Sequence, residues 1–550
     1  MTHRAIAPEA LEAMLQSLNQ FAARSLPLSW RLKADATEEF PLEIIQQLMT
    51  EIGLHLIYIP EELGGVGGGA YEIYRVSEAM ARIDLGLATA FLAVSLGLDP
   101  IVVGGTPEQK SYWMGRVANE GLLVAYGVTE PSVGSDLGAL KSKAVRFERD
   151  GKTFYRLNGS KQFITNGSYA AFYTILANTD VGPTFFIVEQ GTKGFSSGKP
   201  EDKHGIRVSN TAALTMEDVE VPAENVVGGV EGQGLHQAQQ VFGYTRVMVA
   251  AFGLGGGEAA LARAVDYSKE RIAAGSPLST KQAYTHKLLV PHAIRLGAAR
   301  AYIEEVSRRL DSGEKDLQTE GAIAKLSATE AGNAAADASI QALGGYGYVR
   351  EYEVEKIRRD VRITTIYEGT SEIMEWTIGR DRWRQHLQSK GAVYTKLVEE
   401  LNDLHRREPS VGAGAASLAV QSLRELFDRA RGARLTRHQH VLFRLGELAM
   451  LAETAAVYSR SVVADGDARF SVPMRRAMAR VYARECALTI GTQAIRWLRG
   501  CDLKDDLASL ERALRLPQIY EAQSGLMNDL DEVAAELTGR ETSSAGRLAG

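Results

Sequence analysis

A carboxylate with unusual neighbours is the most informative feature of the sequence. Tyr367, Glu368, Gly369 and Thr370 follow a basic segment, residues 356–362. Glycine lets the backbone approach a ligand closely, and a carboxylate that loses water against such a ligand has a raised pKa. Glu368 is therefore a candidate general base. The alternative is a solvated glutamate near a helix start, where this residue is common.

A second string, upstream of the first, is rich in small polar residues. Hydroxyl groups and backbone amides of such a string can satisfy the polar edge of a planar cofactor, and a glycine permits close approach. An ordinary turn that leads into a strand is the alternative. The string consists of Val128, Thr129, Glu130 and Pro131, then Gly134, Ser135 and Asp136.

In this order and at this separation, the two strings resemble the flavin-dependent acyl-CoA dehydrogenase family. The resemblance implies FAD as cofactor and an acyl-CoA thioester as substrate, oxidised to the trans-2-enoyl-CoA, with Glu368 as the base for the α-proton and flavin N5 as hydride acceptor. Such a reaction needs a base, a hydride acceptor and donors for the enolate-like charge. Some branches of the family place the base just before an arginine on an earlier helix. Here Thr245 precedes Arg246, and threonine cannot be that base.

The resemblance also implies which residues contact the flavin ring. In the string that begins at Phe163, the family usually has tryptophan first, so the aromatic stack is retained and the indole donor is lost. The implied flavin contacts are Tyr126, Val128, Thr129, Gly134, Ser135, Phe163 and Thr165.

A further group is implied to bind the rest of FAD, with the pyrophosphate held by a neighbouring subunit. Two glycines at a helix end suit that contact, and a plain helix C-terminus is the alternative. The family pattern Arg-x-x-Phe-Gly is present in part, because Ala274 stands in place of the aromatic residue. Two consequences are possible: FAD is bound more weakly, or another side chain fills that space. The implied contacts are Arg271, Gln341, Gly344 and Gly345, with Thr370 and Glu372 near the adenine.

The resemblance implies substrate contacts as well. Residues 88–93 are small and apolar, which suits a medium or longer acyl chain, although ordinary helix packing explains them equally well. Fatty-acid β-oxidation is the family expectation, while the branching of the acyl group and the pathway stay open. The implied substrate contacts are Ser135, Thr245, Arg246, Tyr367 and Gly369.

Composition bounds the class of protein. A chain of 550 residues exceeds one compact core, and 45% hydrophobic with 24% charged residues is typical of a globular protein. A net charge of -6 argues against nucleic acid as a partner. Two cysteines, Cys486 and Cys501, exclude a disulfide scaffold. No metal site is expected, because His438 and His440 lack further ligands at suitable spacing. Without a signal-peptide pattern, the predicted location is cytoplasmic.

Periodicity predicts helical segments on either side of a β segment, and the resemblance implies an α+β fold of the acyl-CoA dehydrogenase type. We expect an N-terminal helical domain at 1–121, a central β domain at 122–235, a helical bundle at 236–388, and an additional helical domain at 389–550 that ends in a disordered tail after Gly539. Hairpins are predicted at Asp150 with Gly151 and at Asn158 with Gly159. A helix dense in small residues is expected to end at Leu343. Residues 406–414 have the composition of a linker.

The additional domain resembles the extension of the very-long-chain branch, which implies a homodimer. Its basic residues could meet a membrane surface, or form a solvated or salt-bridged helix face. The expected electron acceptor is an electron-transfer flavoprotein. An acyl-CoA oxidase that reacts with oxygen and a non-enzymatic assembly platform are the alternatives. The basic residues are Arg429, Arg431, Arg434, Arg437, His438, His440 and Arg444.

Overall fold

A computed structural model describes residues 6–463 and 469–540, except for the side chains of residues 242–244. It contains two compact units. The first comprises residues up to Gly256, with Ser307–Gln318 and Arg359–Thr364. The second comprises Gly257–Val306, Thr319–Arg358 and the residues from Thr365 onward. Beyond Arg540, the tail that was expected to be disordered lies outside the described residues.

The first unit begins with helices, as predicted. Asp84 caps the apolar helix α5 because its carboxylate accepts the Gly86 and Leu87 amides at 2.9 and 3.1 Å. This helix is apolar on all sides, which explains its burial. The helices are α1 Pro8–Ser25, α2 Leu28–Thr37, α3 Leu42–Thr50, α4 Ala70–Ile83, α5 Leu85–Gly104, α6 Pro107–Gln109 and α7 Gly115–Glu120.

Seven strands then form one sheet in the first unit. Its spatial order is β1-β4-β2-β3-β7-β6, and β5 pairs with β4. The buried side packs around large side chains such as Tyr155, Tyr173 and Phe186. The strands are β1 Val124–Gly127, β2 Lys143–Arg149, β3 Lys152–Thr165, β4 Phe172–Asn178, β5 Pro183–Glu189, β6 Phe195–Ser197 and β7 Thr211–Pro222.

One of the two predicted hairpins is present and the other is wrong. Asp150 and Gly151, both at positive φ, join β2 to β3 in an antiparallel pair. Asn158 and Gly159 do not turn the chain. They lie inside β3, where the pairing with β7 shifts between Leu157 and Gly159. The glycine, at φ +143°, supplies a bulge in a continuous strand.

The rest of the chain is mainly helical, with a short hairpin, and the small-residue helix α11 ends at Leu343 as predicted. These elements are α8 Gly234–Glu270, β8 Ile272–Ala273, β9 Ser276–Pro277, α9 Gln282–Leu288, α10 Val290–Asp311, α11 Gln318–Leu343, α12 Gly345–Tyr348, α13 Val354–Val361, α14 Ser371–Ser389, α15 Ala392–Arg407, α16 Ala413–Gly432, α17 Gln439–Ser461, α18 Val472–Gly500, α19 Leu507–Ala513, α20 Leu516–Glu521 and α21 Leu526–Leu537.

Two of these helices, α5 and α8, are long and apolar enough to cross a membrane. In each, 83% of the most apolar window is buried inside the protein. Burial of that kind is typical of core helices, so the two helices are weak evidence for a membrane span.

Within the second unit, the additional helices pack closely on α14. A Cβ on Gly379 would lie 2.3 Å from the Leu442 carbonyl oxygen, so the two backbones nearly touch there. Nearby, the buried Arg382 guanidinium donates to Glu453 on α17 at 2.7 Å and to Glu320 on α11 at 2.9 Å. Such a buried charge network requires all of its partners to be in place.

The expected linker at 406–414 is a tight connection. α15 ends at Arg407, one 3₁₀ turn covers Pro409–Val411, and α16 begins at Ala413. Val411 is fully buried, which gives this segment a fixed course. The division into four domains with the stated boundaries remains a prediction.

Candidate active site

In the first unit, the predicted flavin-binding segment begins in β1 and continues as a tight turn. Tyr126 pairs with Thr174 of β4 in parallel register. After the strand, the amides and carbonyls of Glu130 and Val133 bond reciprocally at 2.9 and 3.0 Å. The turn leaves Gly134 and Ser135 exposed. The backbone at this point is therefore fixed, and its small polar residues are accessible.

The second predicted flavin segment lies beside the first. The Gln162 amide donates to the Thr129 carbonyl at 2.9 Å. Between Lys161 and Ile164 the pairing of β3 with β7 shifts again, and Phe163 adopts φ +59°. Its side chain is 65% exposed. A bulky residue in the left-handed region is uncommon, and the bulge directs an aromatic ring away from the core.

A buried ion pair joins these two segments. Lys161 Nζ donates to Glu130 Oε1 at 2.8 Å, to the Leu176 carbonyl at 2.7 Å and to the Val128 carbonyl at 3.2 Å. The carboxylate of Glu130 also accepts the amides of Lys141 and Ser142 at 2.7 and 2.9 Å. The two side chains are 0% and 3% exposed. Every donor of the ammonium thus has an acceptor.

Electrostatics at this pair reflect burial and its compensation. Burial lowers the pKa of Lys161 to about 8, partly offset by the Glu130 carboxylate. Burial opposes ionisation of Glu130 as well, yet hydrogen bonds from Lys161, Ser142 and the Lys141 amide hold the pKa of this carboxyl below its usual value. The pair therefore remains ionised near neutral pH, and the lysine is the group whose pKa lies closer to that pH.

Apart from Ser135 in the exposed turn, the predicted substrate residues of the first unit lie on the helices α5 and α8. Thr245 is fully buried on α8. The next residue, Arg246, donates to the carbonyl and the side-chain oxygen of Gln318 at 3.1 and 3.4 Å. Residues 88–93 of α5 are all buried, and the Asn166 amide donates to the Ala90 carbonyl at 2.9 Å. These contacts fix α5 against the bulged end of β3.

In the second unit, the candidate base lies in a turn of unusual backbone geometry. Glu368 adopts φ +54° and Gly369 φ +91°. The turn ends at Thr370, whose hydroxyl oxygen accepts the Ile373 amide at 3.4 Å and so caps α14. Glu372 is exposed in the first turn of that helix. Tyr367 and Glu368 are both partly buried.

The residues expected to hold the pyrophosphate share one groove of about 570 Å³ in the second unit. The Arg271 guanidinium lies 5.8 Å from the centroid of the Tyr346 ring, which is 5.0 Å from the Tyr352 ring. The groove therefore combines a cation with exposed aromatic faces. Its lining includes Tyr267, Arg271, Gln341, Gly344, Gly345, Tyr346 and Tyr352.

Ala274 occupies the tip of a hairpin beside this groove. β8 and β9 pair around Ala274 and Gly275, which adopt φ +46° and +81°. Ala274 is exposed and is absent from the groove lining. In this protein the aromatic side chains at the groove are tyrosines supplied by α8, by α12 and by the turn after α12.

Several glycines at these two places have no packing reason to be glycine. A Cβ built on Gly134, Gly344 or Gly345 would meet nothing within 4 Å. By contrast, a Cβ on Gly347 would lie 2.4 Å from the Ile340 carbonyl oxygen. The backbone near Gly134 and Gly345 thus borders open space, and an extended ligand with a planar ring and phosphates fits such cradles.

Three family models match consecutive parts of the chain. They are described as the acyl-CoA dehydrogenase N-terminal domain, middle domain and C-terminal domain, and they cover residues 8–121, 125–219 and 232–382. The chain belongs to the acyl-CoA dehydrogenase family. The resemblance inferred from the two strings is confirmed, as is the α+β fold, and the protein is an oxidoreductase of this class.

Individual relatives agree with this assignment. The short-chain specific acyl-CoA dehydrogenase of Megasphaera elsdenii is 40% identical over 346 residues, 61% of this chain and 88% of that protein. A chain of the structure described as the electron transferring flavoprotein of Acidaminococcus fermentans is 35% identical with a TM-score of 0.63, covering 67% of this chain and 96% of that chain. An acyl-CoA dehydrogenase complexed with FAD from Bacillus anthracis has a TM-score of 0.81 over 97% of this chain and 96% of its own, and its 24% identity shows the shared fold alone. That fold includes the additional helices of this chain.

The sequence analysis did not predict two buried lysines that contact the candidate segments. Lys325 lies in a run of small and apolar residues on α11, where a single charge is a usable signal. Lys161 stands between Ser160 and Gln162, so its burial has no signal in the local pattern. Among residues 6–463 and 469–540, no group of three or more His, Cys, Asp or Glu side chains is placed to hold a metal ion.

Replacement of Lys161 tests the ion pair. Lys161→Met leaves the Glu130 carboxylate buried without its counter-ion, which typically costs about 3–5 kcal/mol. We expect a clear fall in the thermal unfolding midpoint of the purified protein. The control is Lys152→Met, at the exposed start of the same strand, which should change the midpoint little. Equal midpoints for the two variants would contradict a stabilising role for the pair.

Proposed function

We propose that the protein catalyses FAD-dependent α,β-dehydrogenation of an acyl-CoA thioester, with Glu368 as the base. The observation that carries this proposal is the turn at Tyr367, Glu368, Gly369 and Thr370. In a chain of this family, it holds a partly buried carboxylate at φ +54° directly before a capped helix. Strained backbone of this kind persists where the surroundings over-determine it, and it clusters at functional sites.

Glu368 takes the α-proton of the thioester, which leaves enolate-like charge on the carbonyl. Bound FAD would supply the acceptor for the β-hydrogen, which leaves as a hydride. The product is the trans-2-enoyl-CoA. Gly369, which adopts φ +91°, lets the main chain lie close to the thioester. Tyr367, Ser135, Thr245 and Arg246 complete the proposed substrate contacts.

The chain offers two cradles for FAD. The flavin ring would contact Phe163 and the exposed turn at Gly134 and Ser135, with the remaining contacts from Tyr126, Val128, Thr129 and Thr165. The groove at Arg271, Gln341, Gly344 and Gly345 would hold the pyrophosphate, and Thr370 and Glu372 would lie near the adenine. In the proposed assembly this groove serves the FAD of a second copy, so the active protein is a homodimer.

Electrons then pass to an electron-transfer flavoprotein. Support comes from the similarity to a chain solved as the electron transferring flavoprotein of Acidaminococcus fermentans. Oxygen is the competing acceptor, and the reoxidation rate in air distinguishes the two.

Both cysteines are free thiols, and burial raises the pKa of Cys486 to about 12. This chemistry fits the proposed cytoplasmic location.

The proposal includes a membrane contact through the last domain. Arg429 pairs with Glu425 at 2.7 Å and also with Asp505. Arg444 pairs with Glu447 at 2.7 Å. These two side chains serve intramolecular contacts, whereas Arg431, Arg434, Arg437, His438 and His440 are exposed. The exposed basic residues are the part of the stretch that anionic lipid would meet.

Loss of the proposed base tests the reaction. Anaerobic titration of the FAD-loaded protein with acyl-CoAs of graded length should bleach the flavin absorbance. In Glu368→Gln the bleaching rate should fall at least about 100-fold, because the general base is removed. Glu399→Gln, exposed on α15, is the matched control. Bleaching at the wild-type rate in Glu368→Gln would refute the assignment of the base.

The groove is tested by a substitution that adds one methyl group. In Gly345→Ala the new Cβ meets no protein atom within 4 Å, so we expect unchanged unfolding and weaker binding of FAD to the apoprotein. Fluorescence quenching of FAD measures that affinity. Gly347→Ala is the contrasting variant, because its Cβ would collide with a backbone carbonyl and should lower stability instead. Unaltered FAD affinity in Gly345→Ala would remove the groove from the FAD site.

The assembly is tested by mass. Light scattering of the FAD-loaded protein should give twice the 59.8 kDa chain mass. A monomer that retains FAD and bleaches with acyl-CoA would show that a groove on a second copy is not needed.

A further inference from the structure

Lys325 is an improbable residue at its position in the second unit. Its side chain is completely buried on α11, among Ala322, Ala324, Leu326 and Ala328, which are also buried. Transfer of an ammonium group from water into such surroundings is costly unless hydrogen bonds satisfy it. An apolar residue would fill the same space at lower cost. The presence of the charge therefore points to a specific contact.

That contact is with the turn of the candidate base. Lys325 Nζ donates to the carbonyl oxygen of Gly369, the residue that follows Glu368. Five residues further along α11, Glu330 Oε1 accepts the Ser371 hydroxyl at 2.5 Å. A single helix thus holds the turn from both sides of Thr370. The Thr370 cap on α14 supplies a third constraint.

The turn needs this support because its backbone is strained. Glu368 and Gly369 are consecutive residues in the left-handed region. For a residue with a side chain, that region costs roughly 1–2 kcal/mol. The direction of the Glu368 side chain depends on these two φ values. If a carbonyl held by a buried ammonium rotates, that charge loses a hydrogen bond.

We propose that Lys325 is a positioning residue for proton abstraction: by holding the Gly369 carbonyl, it fixes the backbone that aims the Glu368 carboxylate at the substrate. The inference rests on the proposed function of Glu368. It predicts an effect on the chemical step, with little effect on the binding of FAD or thioester. A displacement of about 1 Å in a reacting group can cost on the order of 100-fold in rate.

The test separates deprotonation from binding. The probe is an acyl-CoA analogue with sulfur in place of the β-carbon, of the chain length that best bleaches the wild type. It can lose an α-proton but has no β-hydrogen to transfer. Deprotonation beside oxidised flavin gives a long-wavelength charge-transfer band. In Lys325→Met we expect this band to form roughly 10–100-fold more slowly, with FAD and analogue affinities within about twofold of wild type. Lys287→Met, exposed on α9, is the control.

Two further variants cover a failure of Lys325→Met to fold. Lys325→Arg keeps a cationic donor and should recover part of the rate, while Lys325→Gln should not. Formation of the band at the wild-type rate in Lys325→Met or Lys325→Gln overturns the proposal. So does a loss of FAD in all three variants, because Lys325 would then serve folding alone. If Glu368→Gln also forms the band normally, the error lies in the assignment of the base.

Discussion

In each of the two units, a buried ammonium group that donates to the backbone holds a segment that is expected to contact cofactor or substrate. In the first unit, Lys161 donates to the Val128 carbonyl. In the second, Lys325 donates to the Gly369 carbonyl. Each carbonyl belongs to a segment expected to contact cofactor or substrate. Because an ammonium without acceptors in the interior costs several kcal/mol, neither segment can shift without breaking a contact that the fold requires. Charge burial is here a source of local rigidity.

Rigidity of this kind explains how strained residues persist beside these lysines. Phe163 and Glu368 both have positive φ without being glycine, and a bulky residue adopts that conformation only at a cost. Each lies within two residues of an anchored position. The strain has a geometric result, because it directs an aromatic ring in one case and a carboxylate in the other out of the regular path of the chain. The chemistry proposed for each place depends on the direction of one side chain.

Features that depend on residues close in sequence were predicted, whereas those that depend on distant residues were not. The helices, the Asp150 hairpin and the end of α11 were predicted because local periodicity and glycine placement determine them. Asn158 and Gly159 carry a hairpin signal of equal strength, yet pairing with β7 keeps β3 continuous through them. The two motifs were recognised from the sequence. The lysines that contact Glu130 and Gly369 were not, because they lie 31 and 44 positions away. No local pattern records such distant contacts. The same limit applies to Ala274, since the tyrosines at the groove come from other segments.

Glycines allow packing and binding to be distinguished in this fold. A Cβ on Gly379 or Gly446 would lie 2.3 or 2.1 Å from a carbonyl of the facing helix, so the junction of α14 with α17 requires both. That junction brings the additional helices onto the helix that starts at the Thr370 cap. Gly134 and Gly345 face open space, and neither has positive φ, so neither packing nor backbone conformation explains them. The FAD contacts proposed above would explain them, because a ligand that approaches the backbone closely leaves no room for a side chain.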